Sequence, residues 1–260
     1  MSAFWLSLGV TALAVVLVMA ASFAVGKITG RYSIIDAIWG PGFVVIGWVS
    51  LLVSTGHGTA GLRFTVVTMV TVWGVRLGVH ILRRNHGLPE DPRYVEMLKD
   101  SGPAAIAGKV QLPQGIAMWF VSIPVQLAMV LQRPAWWLVT IGILLWLVGL
   151  AFEAVGDAQL AAFKKDPSKK GTVLNTGLWR YTRHPNYFGD ACVWWGIFLT
   201  VGSTWVGALT ILSPLAMTYL LVAKTGKALT EKRMSSSKPG YPEYLCSTSG
   251  FIPLPPKAVR

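Results

Sequence analysis

Runs of about twenty apolar residues recur along this chain, each about as long as a bilayer's hydrocarbon core is thick when coiled into a helix. They fall at about residues 4–25, 35–54, 63–82, 114–131 and 135–156. The stretch from Phe188 to Ala223 is long enough for two more, with a break expected near Gly202-Ser203-Thr204. The expectation is an all-α, polytopic membrane helix bundle of about seven transmembrane helices, forming a single domain over residues 1–260. Composition agrees: 53% of residues are hydrophobic and 13% charged, against about 25% charged in soluble chains. The N-terminus is apolar from Ala3 with no basic segment before it, so it reads as a retained membrane helix rather than a cleaved signal.

The formal charge is +12. In a soluble protein that would suggest nucleic acid. In a membrane chain, basic residues collect in the cytoplasmic loops, and no nucleic-acid partner is expected. With the N-terminus outside, Lys27, Arg31, the 83–113 loop, the 157–187 loop and the tail place 20 of the 23 Lys and Arg on the cytoplasmic side. Only Arg63, Arg76 and Arg133 remain. The C-terminus is therefore expected in the cytoplasm. The two long loops and the tail are rich in aromatics, Gly, Pro and charge, and ordered loops are where function concentrates.

Asp36, Arg76, Glu153, Asp157 and Asp190 lie in or at the ends of apolar runs. A charge at the bilayer centre costs about 2.5–3.5 kcal/mol on insertion scales. Such groups either pair and lock the bundle or face a wet cavity. Most of them gather toward the cytoplasmic half, which favours one polar cavity open to the cytosol. Cys192 and Cys246 suggest no disulfide framework, and the four histidines show no metal-ligand spacing with them.

The densest signal runs from Phe152 to Phe198, and its centre reads Thr176-Gly177-Leu178-Trp179-Arg180-Tyr181-Thr182-Arg183-His184-Pro185-Asn186-Tyr187. Arg180, Arg183 and His184 are suited to phosphate oxygens, the arginines bidentately. Pro185 suits the first turn of a helix. Asn186 and Asp190 then share one face and offer the donors and acceptors of a nicotinamide carboxamide or ribose. The structural alternative is an interfacial anchor with a helix cap.

This segment resembles the bacterial steroid 5α-reductase-like membrane family, which belongs with the steroid 5α-reductases and the sterol C14 and C7 reductases. The similarity extends to Asp36–Phe43, to residues 73–94 and to the tail from Glu231 to Pro256. The resemblance implies a seven-helix bundle holding NADPH in a cavity that opens to the cytosol of a bacterial inner membrane. It implies that Asn186 and Asp190 hold the nicotinamide end. Asp157, Arg180, Arg183, His184, Tyr187, Glu231, Tyr241 and Tyr244 would line the cofactor cavity. Arg83, Arg84, Glu90, Asp91, Arg93 and Tyr94 would belong to a loop closing over it, its cations selecting the 2′-phosphate. The substrate implied is a lipophilic steroid-, sterol- or isoprenoid-like molecule reached from the membrane lipids.

In an enone reductase, hydride goes to the β-carbon and negative charge develops on the carbonyl oxygen, which an acid must meet. The steroid enzymes use a Gln-Glu pair and a tyrosine. Here Ile35-Asp36 falls where the pair lies and Trp73 falls near the tyrosine, so Asp36 keeps the carboxylic role while the glutamine and tyrosine lack counterparts. His80 is the alternative proton donor. Two other classes stay open. One is an S-adenosylmethionine-dependent methyltransferase of the isoprenylcysteine carboxyl methyltransferase type, which shares an Arg-His-Pro motif. The other is a non-enzymatic lipid-binding protein.

Overall fold

The computed structural model describes residues 2–224, 231 and 238–257. Lys227, Lys232, Arg233 and Arg260 of the cationic tail lie outside the described residues. Most of those described are helical, with no strand among them. Five helices are long and apolar enough to cross a membrane, as expected of a membrane protein. They are α1 (Ser2–Thr29), α2 (Ile34–Val53), α3 (Ala60–Asn85), α8 (Trp136–Lys165) and the segment Trp205–Ala223, which contains α10 (Trp205–Leu209) and α11 (Leu212–Tyr219).

Two of the seven expected spans take shorter forms. The 114–131 run becomes α6 (Leu112–Val121) and α7 (Ile123–Ala128), separated at Ser122. There Pro124 brings no backbone N–H to the ladder, and the Ser122 hydroxyl bonds back to Trp119 O at 2.7 Å. The 188–202 run becomes α9 (Pro185–Leu199), whose 15 residues extend only about 22 Å, against a hydrocarbon core of about 30 Å. The expected break follows it, with Thr204 capping α10 through Gly207 N at 3.0 Å. Among the described residues there are also short helices α4 (Pro92–Leu98), α5 (Pro103–Ile106) and α12 (Tyr241–Ser247), with π-helical turns at Ala107–Gln111 and Leu220–Lys224.

The chain divides into two compact units. Unit 1 is Met1–Val139 with Thr200–Ser213, and unit 2 is Thr140–Leu199 with Pro214–Arg260.

In unit 1, α1 is built inside out. Ser7, Thr11 and Ser22 are fully buried, while Trp5, Leu13 and Leu17 are at least 60% exposed. In water that arrangement would be untenable. Against lipid the apolar side chains face their own solvent, and Ser7 and Thr11 reach across to Gln126. Thr11 donates to Gln126 Oε1 at 2.7 Å, and Gln126 Nε2 donates to the Ser122 hydroxyl at 2.9 Å. Helices α2 and α3 meet at glycines: a Cβ on Gly74 would stand 2.5 Å from Gly40 O, and one on Gly78 would stand 2.7 Å from Pro41 Cγ. With no side chain between them the backbones pack directly.

Unit 2 uses the same device between α8 and α9. Gly142, Gly149 and Gly156 recur every seven residues on α8, and Gly189 and Gly196 do so on α9. A Cβ on Gly189 would lie 2.5 Å from Gly149 O, and one on Gly196 would lie 2.6 Å from Gly142 O. Trp195 Nε1 ties α9 to α11 through the Thr218 hydroxyl at 3.2 Å.

Candidate functional site

In unit 1 the chemistry gathers around the start of α2. Asp36 lies in its first turn. The segment after α3 folds back to it because Asp91 and Pro92 start a new helix there. Asp91 caps α4 by accepting from Arg93 N at 2.8 Å, and Pro92 occupies a position whose N–H would have no helical partner. This cap brings Arg93 and Tyr94 to Asp36. The Tyr94 hydroxyl donates to Asp36 Oδ1 at 2.7 Å, and Arg93 Nη2 lies 3.2 Å from Asp36 Oδ2. Arg93 also pairs with Asp91 at 2.9 Å. Gln114 Nε2 reaches the Tyr94 oxygen at 3.4 Å. Tyr94 is 6% exposed. Burial, and then the neighbouring Asp36 charge, push its phenol well above the ordinary tyrosine range, so it stays protonated and donates.

Sequence reasoning assigned Asp36 to catalysis and Arg93 and Tyr94 to the cofactor, but the fold joins all three. It missed Gln114, which carries no motif. Glu90 has a structural task. Its carboxylate accepts from the N–H groups of Tyr32 and Ser33, the latter at 3.2 Å, and so caps the start of α2. Trp73, fully buried, packs edge-on against Phe43 at 5.7 Å. His80 is half-buried on α3. Arg83 and Arg84 are exposed at the end of α3, and Arg84 Nε donates to Asn85 Oδ1 at 3.2 Å.

In unit 2 the Gly177–Arg180 turn sits at the end of α8. Leu178 N donates to Gln159 Oε1 at 3.0 Å, and Trp179 Nε1 donates to Gly156 O at 3.0 Å. The tail closes over this turn. Tyr244 donates to Trp179 O, Arg183 N to Ser249 O at 2.9 Å, and Leu254 N to Tyr181 O at 3.0 Å. Arg183, expected at a phosphate, is engaged by the chain itself. Its Nε meets Glu231 Oε1 at 2.8 Å, and its Nη1 donates to Leu245 O and Thr248 O. His184 Nε2 lies 3.3 Å from the same Glu231 oxygen, and its ring stacks on Tyr187 at 5.2 Å. Tyr241 and Tyr244 are both buried. Burial raises the phenol of each, with Glu231 adding to it at Tyr241 and Tyr241 adding to it at Tyr244.

Asn186 stands 3.5 Å from Asp157 Oδ1 across the α8–α9 contact. Asp157 and Glu153, one turn apart on α8, are 7% and 2% exposed. Asp190 follows Asn186 by one turn and is half-buried. Arg180 is exposed. The fold thus brings Asn186 to Asp157 at the α8–α9 contact. Cys192 (buried) and Cys246 (exposed) carry free thiols.

Neither the curated proteins nor the solved structures contain a match to this chain. A family described as "Protein of unknown function (DUF1295)" matches residues 22–248, from the middle of α1 through both clusters to the end of α12, and the chain belongs to that family.

Proposed function

We propose that this protein is a membrane-embedded, NADPH-dependent reductase of a C=C bond conjugated to a carbonyl in a lipophilic, steroid-, sterol- or isoprenoid-like substrate. The observation that carries the proposal is the acid–phenol pair of unit 1, Asp36 with the buried Tyr94 hydroxyl at 2.7 Å. Enone reduction puts negative charge on the carbonyl oxygen, and a donor held out of bulk water is suited to stabilise that charge and deliver a proton. Methyl transfer from S-adenosylmethionine creates no enolate and has no use for such a pair. Tyr94 can take the part of the tyrosine that lacks a counterpart near Trp73, with Gln114, 3.4 Å from its oxygen, as the accompanying carboxamide.

Unit 2 is assigned the cofactor. Asn186, Asp157 and Asp190 supply donors and acceptors for a carboxamide and a ribose, and the exposed Arg180 is suited to a phosphate. Bound NADPH supplies the hydride. The protein is placed in a bacterial inner membrane with its N-terminus outside and its C-terminus and cofactor residues on the cytoplasmic side. The shorter α6–α7 and α9 count as crossings in that arrangement, which makes seven.

The test is a thermal-unfolding scan in detergent with NADPH, NADH, S-adenosylmethionine and S-adenosylhomocysteine added separately. A ligand at 100 times its dissociation constant adds about 2.7 kcal/mol. A shift with NADPH that Asn186→Ala and Asp190→Ala both weaken is expected. A shift with S-adenosylmethionine alone would overturn the reductase and hand the unit 2 residues to methyl transfer.

A further inference from the structure

At the end of α1 the chain turns through Gly30, whose φ of 68° belongs to the left-handed region that glycine enters freely. Arg31 N closes this turn on Gly26 O at 3.1 Å. The turn leaves a cavity of about 150 Å³ between the ends of α1 and α3 and the start of α2. Its polar lining is Thr29, Arg31, Ser33, Asn85 and His86. Arg31 anchors itself by donating from Nη2 to Asn85 O at 3.1 Å, while its buried Nε–H has no hydrogen-bond partner among the described residues. Lys27, Arg83 and Arg84 carry the last turns of the two flanking helices. The nearby carboxylate, Glu90, is engaged with the backbone at the start of α2.

The volume equals the liquid-volume share of about five waters, enough for a phosphate group and its bridging oxygens. A guanidinium with an unengaged N–H, the Ser33 hydroxyl and the His86 imidazole are suited to phosphate oxygens, while the Thr29 hydroxyl is turned to Val25 O at 2.8 Å. The cavity has an apolar border: Leu82, which lines it, is 50% exposed, and Ile28 beside it is 83% exposed. A soluble anion has no use for that border, whereas a glycerol and acyl chain would lie along it. Basic pockets between the cytoplasmic ends of membrane helices are where anionic head groups settle. We infer that this cavity binds phosphate, and that the phosphate belongs to an anionic phospholipid of the membrane leaflet at that end. The site lies within unit 1 and does not depend on the reductase reading.

Native mass spectrometry of the full chain from mixed micelles of phosphatidylglycerol and phosphatidylcholine tests this. The expected result is selective retention of phosphatidylglycerol, falling at least tenfold in Arg31→Gln and recovering in Arg31→Lys, which restores the charge. His86→Phe, at an exposed position that leaves the Arg31–Asn85 bond alone, should lower retention less and guards against a folding defect in Arg31→Gln. In a parallel thermal scan, stabilisation by inorganic phosphate equal to that by phosphatidylglycerol would assign the site to a free anion and overturn the lipid as its source. Equal retention of both lipids in every variant would overturn the site.

Discussion

The two polar clusters are built from the same residue types and handle them differently. In unit 2, Arg183 is directed inward. Its Nε and Nη1 meet Glu231, Leu245 O and Thr248 O, and with them it fastens the tail. In unit 1, Arg93 stays 40% exposed on its side chain and shares its charge between Asp36 and Asp91, while a neutral phenol makes the short bond to Asp36. One arginine holds structure, and the other accompanies an acid that a phenol serves. A charged residue near a membrane face is therefore not a ligand-binding group by default; its partners in the fold decide.

The largest effect should come from Arg183→Ala. It leaves two carbonyls unmet and Glu231 with His184 alone, a loss approaching the ~3–5 kcal/mol of a broken buried pair, read as a lower unfolding temperature and faster proteolysis of the tail. An unchanged midpoint would erase the contrast with Arg93. Next, Gly189→Val and Gly74→Val force backbones apart in unit 2 and unit 1 respectively. Overpacking costs about 1–3 kcal/mol, and similar losses in both would show that one packing device supports both clusters.

Tyr94→Phe removes a hydrogen bond to a carboxylate and should cost about 1.5 kcal/mol of stability. It should also lower enone turnover about 10²-fold with the NADPH-induced shift retained. Undiminished turnover would move the acid elsewhere, with His80 the first alternative. The smallest effect belongs to Asp166→Asn in unit 2. Asp166 pairs with Lys169 at 3.1 Å in full solvent, and bonds to Ser168, then Lys169, hold its carboxyl below the ordinary value of 3.8. A depressed carboxylate contributes above its unfolded pKa, and that contribution fades as pH falls through the folded value. At neutral pH the substitution should barely move the midpoint, and even that small effect should fade as the pH falls below 3.8 and through the depressed folded value.

The long helices were legible because bilayer thickness imposes a length that composition alone satisfies. The break before Thr204 was legible because Gly-Ser-Thr between two apolar runs has little reason to stay helical. The break at Ser122 could have been read from Pro124, two residues on, but the run around it is apolar and long enough to pass for one span. The face carrying Asn186 and Asp190 follows from helical periodicity. The capture of Arg183 by Glu231 and the tail does not, because it depends on partners about 50 to 65 residues away. The glycine seams could have been read: Gly142, Gly149 and Gly156, with Gly189 and Gly196, are a seven-residue rhythm of the smallest side chain.

The acid–phenol pair has a consequence for how such chains diverge. Its tyrosine comes from a seven-residue helix outside the long membrane helices, held by the Asp91 cap, the Arg93–Asp36 pair and the Gln114 contact rather than by a glycine seam. A segment of that kind can gain or lose residues and still deliver a hydroxyl to the same carboxyl. Aligned columns are then a poor ledger of which relatives keep the pair. Two chains can differ at the tyrosine's position in sequence and agree at its position in space, and ancestry traced through that column alone would count a retained feature as a lost one.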